Sequence, residues 1–174
     1  DEPDLLFVIK LLKGGRASQW VENILAVGTQ VRIQGPLGVF ALHLEAKQHL
    51  LIATGSGVAP FRSQITMALK TLAPPPSMHL VFGVCRSQDL FWTEYFQDLA
   101  KKFPSFRYTP VVLTPDDQWK GTCGNIATML PKLLDRPTET MIAVCGAPDL
   151  VKELKKTCIE TLGVPKENFH AEGF

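Results

Sequence analysis

The stretch Leu50-Leu51-Ile52-Ala53-Thr54-Gly55-Ser56-Gly57-Val58-Ala59-Pro60-Phe61-Arg62-Ser63 holds the residues best suited to grip a ligand, because an apolar run enters a glycine turn and a helix opens behind it. Gly55 and Gly57 can adopt backbone conformations closed to other residues and leave no side chain in a ligand's way. Pro60 suits the first helical position, where its missing N–H costs nothing. Free amides and the positive end of the helix dipole at such a start favour a pyrophosphate. Pro60 stands where the usual dinucleotide fingerprint has its third glycine, so the turn alone reads equally as a tight strand-to-helix connection. A second place for chemistry is Cys145, at the end of the apolar run Met141-Ile142-Ala143-Val144-Cys145 and followed by Gly146. By itself it reads as a small buried hydrophobe, as free cysteines usually are.

The elements that must position these residues follow from the apolar pattern. Strands are expected at 48–54, 78–84, 107–113, 140–145 and 167–171, alternating with helices at 60–72, 91–102, 124–134 and 147–162. This alternation predicts an α/β fold with a five-stranded parallel, doubly wound (Rossmann-like) sheet over residues 46–174. Right-handed crossovers put all strand C-termini on one edge, where such sheets bind ligands at the switch in strand order. Residues 1–45 differ. Leu5–Leu12, Gln30–Gln34 and Val39–Leu44 read as strands, with a short helix from about Ser18 to Ala26, and Ser18 is placed to cap that helix from Gln19 onward. Three short strands leave open edges, so this part reads as an incomplete antiparallel β-barrel.

Composition narrows the function. The formal net charge is +1 with acids and bases mixed along the chain, which offers no basic stripe for nucleic acid or an anionic membrane. No apolar run nears the roughly 20 residues that span a bilayer. The acidic start Asp1-Glu2-Pro3-Asp4 is unsuited to a signal peptide, and the expected location is cytoplasmic. Cys85, Cys123, Cys145 and Cys158 show no C-x-x-C spacing, and His43, His49, His79 and His170 are dispersed, so no metal site is expected. Reduced thiols fit that compartment.

Six segments in order resemble the ferredoxin–NADP reductase superfamily, flavin-dependent oxidoreductases that pass electrons between a nicotinamide and a one-electron carrier. Gly15-Arg16-Ala17-Ser18-Gln19-Trp20 resembles the flavin-pyrophosphate segment and Gly35-Pro36-Leu37-Gly38-Val39-Phe40 the turn that closes the flavin barrel. Thr54 to Ser63 resembles the nicotinamide-nucleotide phosphate loop, and Phe82-Gly83-Val84-Cys85-Arg86 with Asp89-Leu90-Phe91-Trp92 the next strand and helix start. Val144-Cys145-Gly146-Ala147-Pro148 resembles the family's Cys-Gly-x-Pro motif, and Glu172-Gly173-Phe174 its C-terminus. The family's Arg-x-Tyr-Ser flavin motif is absent, and its usual place falls before Asp1. The resemblance therefore implies the C-terminal part of a longer protein, with residues 1–45 as part of the flavin barrel and 46–174 as the NAD(P)-binding domain.

The resemblance also implies roles. Cys145 would pack near the reacting carbon of the nicotinamide and Glu172 would stand by flavin and nicotinamide, the two candidate catalytic positions. Phe174 would cover the flavin ring. Gly15, Arg16, Ala17 and Ser18 would face the flavin phosphates; Thr54, Gly55, Ser56, Gly57, Val58, Ala59 and Pro60, with Gly146, Ala147 and Pro148, would face the nicotinamide nucleotide. After the third strand, phosphate-selective members carry a Ser-Arg pair, whereas Leu113-Thr114-Pro115-Asp116-Asp117 stands here. A carboxylate repels a 2′-phosphate and accepts from ribose hydroxyls, so Thr114 and Asp116 favour NADH, while Arg86 keeps NADPH open. FAD in the full-length protein, and a ferredoxin-like, oxygenase or small-molecule electron acceptor, complete the reading. A free-flavin reductase and a non-catalytic nucleotide-binding module are the alternatives.

Overall fold

Apolar runs that bury both faces build the centre of the structure, a computed structural model that describes residues 5–35 and 37–173. The chain divides into two compact units, Asp1–Val39 and Phe40–Phe174. In the second, strands β1 (Gln48–Thr54), β2 (Ser77–Val84), β3 (Phe106–Val112), β4 (Thr122–Cys123), β5 (Met141–Gly146) and β6 (Phe169–Gly173) form one sheet in the order β4-β3-β2-β1-β5-β6, and every pairing is parallel. The five expected strands all form, and the two-residue β4 extends the edge beyond β3. Leu51 of central β1 pairs with Leu80 on one side and Ala143 on the other.

Period-2 alternation sends successive β1 residues to opposite cores. Leu51 and Ala53 belong to a core with Phe61 and Ile65 of helix α2 (Ala59–Thr71) and Phe96 of α3 (Thr93–Lys102). Leu50 and Ile52 belong to another with Leu130 of α4 (Ile126–Leu133) and Leu154 of α5 (Pro148–Lys156). Helix starts follow local chemistry. Asn125 caps α4 by accepting the Ala127 N–H at 2.7 Å. Pro60 occupies the second position of α2 and not the first, because Ala59 already has helical geometry. Beyond Lys156 the expected long helix loosens into a wider π-turn over Thr157–Thr161.

The first unit departs from the expected strands. Leu5–Leu12 and Gln30–Gln34 make no ladder pairing among the described residues, and Leu6, Phe7 and Ile33 remain more than half exposed. A strand is stable only beside a neighbour that takes its N–H and C=O groups, and no such neighbour is formed here. Its helix, α1 (Arg16–Asn23), is capped by Gly15, so Ser18 is not the cap. Ser18 Oγ instead accepts the backbone N–H of Leu12 at 2.8 Å, and that bond explains its burial. Among the described residues Val39–Leu44 makes no ladder pairing either. Within the second unit the Phe40 ring meets Phe61 edge-on at 5.6 Å, the Phe40 carbonyl accepts from Gln64 Nε2, and Leu42 is buried. Burial against α2 outweighs what an unpaired hairpin would gain.

His79 of β2 gives the fold an acid limit. Burial, reinforced by the Arg107 charge, pushes its imidazole down to about 4, and its Nε2 lies 2.8 Å from Thr109 Oγ1. The unfolded chain takes up that proton near pH 6.5, so its stabilising share is present above 6.5 and lost as pH falls towards 4. Buried His49 shifts in the same direction. We expect the His79 share of the loss between pH 7 and pH 5 to be about 2 kcal/mol, seen as a urea midpoint that falls less over that range in His79→Gln than in the parent protein.

Candidate functional site

Strand order reverses between β1 and β5: from β1 the chain crosses to β2 on one side, then returns to place β5 on the other. The C-terminal ends of these two strands therefore border the crevice where a doubly wound sheet takes a ligand. Into it run two connections. Thr54 leads through a tight 3-10 turn, Gly55–Val58, into α2, and Gly146 leads through Ala147 into α5. Two helix starts thus meet at one switch point, and Pro60 and Pro148 each lie in a first turn, where no N–H is lost.

The two connections are locked together. A Cβ at Gly57 would overlap the Cys145 carbonyl oxygen and come within 2.8 Å of Gly146 Cα, so only glycine lets the loop seat on the end of β5. Gly146, at φ +150°, would drive a Cβ into the Thr54 hydroxyl. That hydroxyl accepts the Ala147 N–H at 3.2 Å and so braces β1 against the start of α5. Gly57 and Val58 are buried, Thr54, Gly55, Ser56, Ala59 and Pro60 are half-buried, and Ala147 and Pro148 are exposed. The loop thus has a fixed floor and an accessible rim.

Cys145 lies beneath this rim. It is 0 % exposed and shares its core with Val58 and Phe61. Burial, with the Glu172 charge as the smaller cause, pushes its thiol up to about 12. Burial thus favours the protonated thiol, a poor nucleophile and no base. Glu172 stands opposite Cys145 in the β5–β6 register and is exposed. Phe174 lies outside the described residues.

On the other side of the switch point the loops after β2 and β3 are tied. Leu113 N–H donates to the Val84 carbonyl and Thr114 N–H to the Cys85 carbonyl, each at 2.9 Å. The Ser87 hydroxyl donates to Asp116 Oδ2, while Asp116 Oδ1 accepts the Gln118 and Trp119 N–H groups at 3.0 and 3.1 Å. The Ser87 bond, followed by the backbone N–H donors, holds the Asp116 carboxyl below its ordinary value. Arg86 is exposed at the head of this loop, and Thr114 lies exposed beside it. Ser87 is the site residue that sequence reasoning missed: a serine two places before an acid carries no signal, and its partner is 29 residues away.

The remaining candidates belong to the first unit. Gly15, Arg16, Ala17 and Ser18 form the start of α1 in the first unit, where Arg16 and Ala17 are exposed and Ser18 is engaged with Leu12. The second unit thus gathers Thr54 to Pro60, Gly146 to Pro148 and Glu172 at one crevice, with Arg86, Thr114 and Asp116 along the same strand-end edge. A groove of about 480 Å³ lined by Lys47, Gln48, Ser77, Arg136 and Glu139 opens at the opposite edge, where its arginine pairs with the exposed Glu139. Among the described residues no group of three or more His, Cys, Asp or Glu could hold a metal ion, and no helix is long and apolar enough to cross a membrane.

Known proteins share this fold. Residues 51–156 match the family model of the oxidoreductase NAD-binding domain. The chain is 32 % identical over 174 residues to the ferredoxin–NAD(P)+ reductase component of the naphthalene 1,2-dioxygenase and salicylate 5-hydroxylase systems of Ralstonia sp., covering 99 % of this chain and 52 % of that protein. It is 30 % identical over 171 residues to the toluate 1,2-dioxygenase electron transfer component of Pseudomonas putida, covering 98 % and 50 %. A cytochrome P450 reductase of Amycolatopsis superposes with a TM-score of 0.85 at 26 % identity, over 95 % of this chain and 50 % of that one. The chain spans about half the length of the curated relatives it matches. It belongs to the oxidoreductase NAD-binding domain family, within the ferredoxin–NADP reductase superfamily.

Proposed function

We propose that this chain is the nucleotide-binding part of a flavin-dependent reductase that takes a hydride from NADH and passes electrons to a ferredoxin-like or oxygenase partner. The observation that carries the reading is the switch point itself, where Gly57 and Gly146 let two helix starts close on the ends of β1 and β5. Backbone amides of the Gly55–Val58 turn and the start of α2 would hold the pyrophosphate, helped by the dipole of α2. From there the nicotinamide half would run towards Gly146, Ala147, Pro148 and Glu172, and the adenylate half towards Arg86, Thr114 and Asp116. Nicotinamide and FAD would supply the hydride transfer, and the protein's part is to hold the rings at close range and keep water out. Cys145 would shape the floor under the nicotinamide.

For the flavin, Gly15 to Ser18 at the start of α1 fit a phosphate contact only, through exposed Arg16 and the amides near Gly15. The ring would need residues outside this chain, with Phe174 as a candidate cover. We assign residues 1–45 to the flavin-binding part and 46–174 to the nucleotide-binding part. The reaction would run in the cytoplasm, where exposed Cys85 and Cys123 stay reduced. The named relatives, which are electron-transfer components of dioxygenase systems, support an oxygenase partner.

Cofactor choice gives the first test. Full-length protein should oxidise NADH with a higher kcat/KM than NADPH, because the Asp116 carboxylate faces an edge without the Ser-Arg pair of phosphate-selective members. Arginine at Thr114 should narrow that ratio by about 1 kcal/mol by offering a charge-assisted partner to the 2′-phosphate. Steady-state kinetics with both nucleotides decides it. An NADPH preference in the unmodified protein would hand control of the pocket to Arg86.

A further inference from the structure

We propose that Ser87 is a specificity-determining residue: by donating its hydroxyl to Asp116 it clasps the loop after β2 to the loop after β3 and fixes a carboxylate against a 2′-phosphorylated nucleotide. The inference rests on the nucleotide reading above. Asp116 is otherwise an exposed group on an exposed loop, and such a carboxylate swings and is screened. Here three donors on two loops hold it: the Ser87 hydroxyl on one oxygen and the Gln118 and Trp119 N–H groups on the other. Ser87 itself is half-buried at the head of a short 3-10 turn, Ser87–Asp89. That turn is in turn pinned by the Arg86 N–H donating to Asp89 Oδ2 at 3.1 Å. The backbone bonds from Thr114 to Cys85 and from Leu113 to Val84 bring the same two loops together, so the clasp closes a junction already formed.

A fixed negative charge discriminates better than a mobile one. A 2′-phosphate approaching this edge must face a carboxylate that cannot rotate away, whereas a 2′-hydroxyl can donate to it. Ser87 also favours the ionised form of Asp116, so discrimination persists to a lower pH than an ordinary carboxylate would allow. The other charged groups on these two loops are Arg86 and Asp89 after β2 and Asp117 and Lys120 after β3, and all four remain in the variants below.

The test uses the full-length holoprotein and two probes that need no redox chemistry, 5′-ADP and 2′,5′-ADP, titrated calorimetrically at pH 7. Ser87→Ala should tighten 2′,5′-ADP relative to 5′-ADP about fivefold. Ser87→Thr should restore the parent ratio. In an Asp116→Asn background, Ser87→Ala should change nothing further, since the serine acts only through the carboxylate. An unchanged ratio in Ser87→Ala, or an equal effect with and without Asp116, overturns the proposal. A parent protein that binds neither probe would bring down the nucleotide reading and this inference together, a result distinct from binding without discrimination.

Discussion

Gly57→Ala should destabilise the second unit by about 3 kcal/mol, at the upper end for overpacking because the new methyl meets backbone and not a side chain. The Cys145 carbonyl and the Gly146 Cα cannot turn aside, so the Gly55–Val58 loop must lift from β5 or the β1–β5 ladder must part. Either movement displaces the amides proposed to hold the pyrophosphate. Affinity for 5′-ADP should fall at least hundredfold, about 2.7 kcal/mol, beyond what a uniformly less stable protein would lose. Gly55→Ala is the control. Gly55 lies at φ +52° with nothing within 4 Å of a Cβ, so its cost is conformational alone and about 1 kcal/mol. Urea midpoints and calorimetric titration of both variants separate the two glycines. If Gly57→Ala kept the parent's stability and affinity, the loop would not be seated on β5, and the floor of the site would have to be sought elsewhere.

The parts of the molecule legible in the sequence are those fixed by short-range pattern. Met141–Cys145 is a continuous apolar run, which fits a strand covered on both faces, and it pairs with β1 as such a strand should. Gly55 and Gly57 marked the turn, although the sequence did not distinguish a glycine needed for its φ from one needed for contact. What pattern could not show was long-range partnership. Leu5–Leu12 has the composition of a strand but no ladder partner among the described residues, and composition cannot supply one. Ser18 has the chemistry of a cap, yet Gly15 already starts the helix three residues earlier, and the hydroxyl turned to Leu12. The Ser87–Asp116 clasp joins loops on separate crossovers and exists only once β2 and β3 are side by side.

Cys145→Ser should separate binding from chemistry. The thiol is 0 % exposed and burial favours its protonated form, so the part proposed for it is to shape the floor on which the nicotinamide would lie. Serine is smaller and places a hydroxyl in an apolar core beside Val58 and Phe61, at a cost of about 1 to 3 kcal/mol in stability. On the proposed reading, nucleotide affinity comes from the amides at the pyrophosphate and from the adenylate edge, and it should stay within about tenfold, or 1.4 kcal/mol. Hydride transfer depends on ring placement to a fraction of an ångström and should slow by more than that. Stopped-flow reduction of the flavin in the full-length protein, followed across NADH concentrations, yields the limiting rate and the apparent Kd separately. Cys145→Ala adds the necessary contrast, because it removes the sulfur without burying a hydroxyl. Equal slowing in both variants, with affinity retained, would assign the effect to the lost volume under the ring. An unchanged limiting rate in both would leave Cys145 as a core residue and pass ring placement to Gly146, next to it on β5, and Glu172, opposite it on β6.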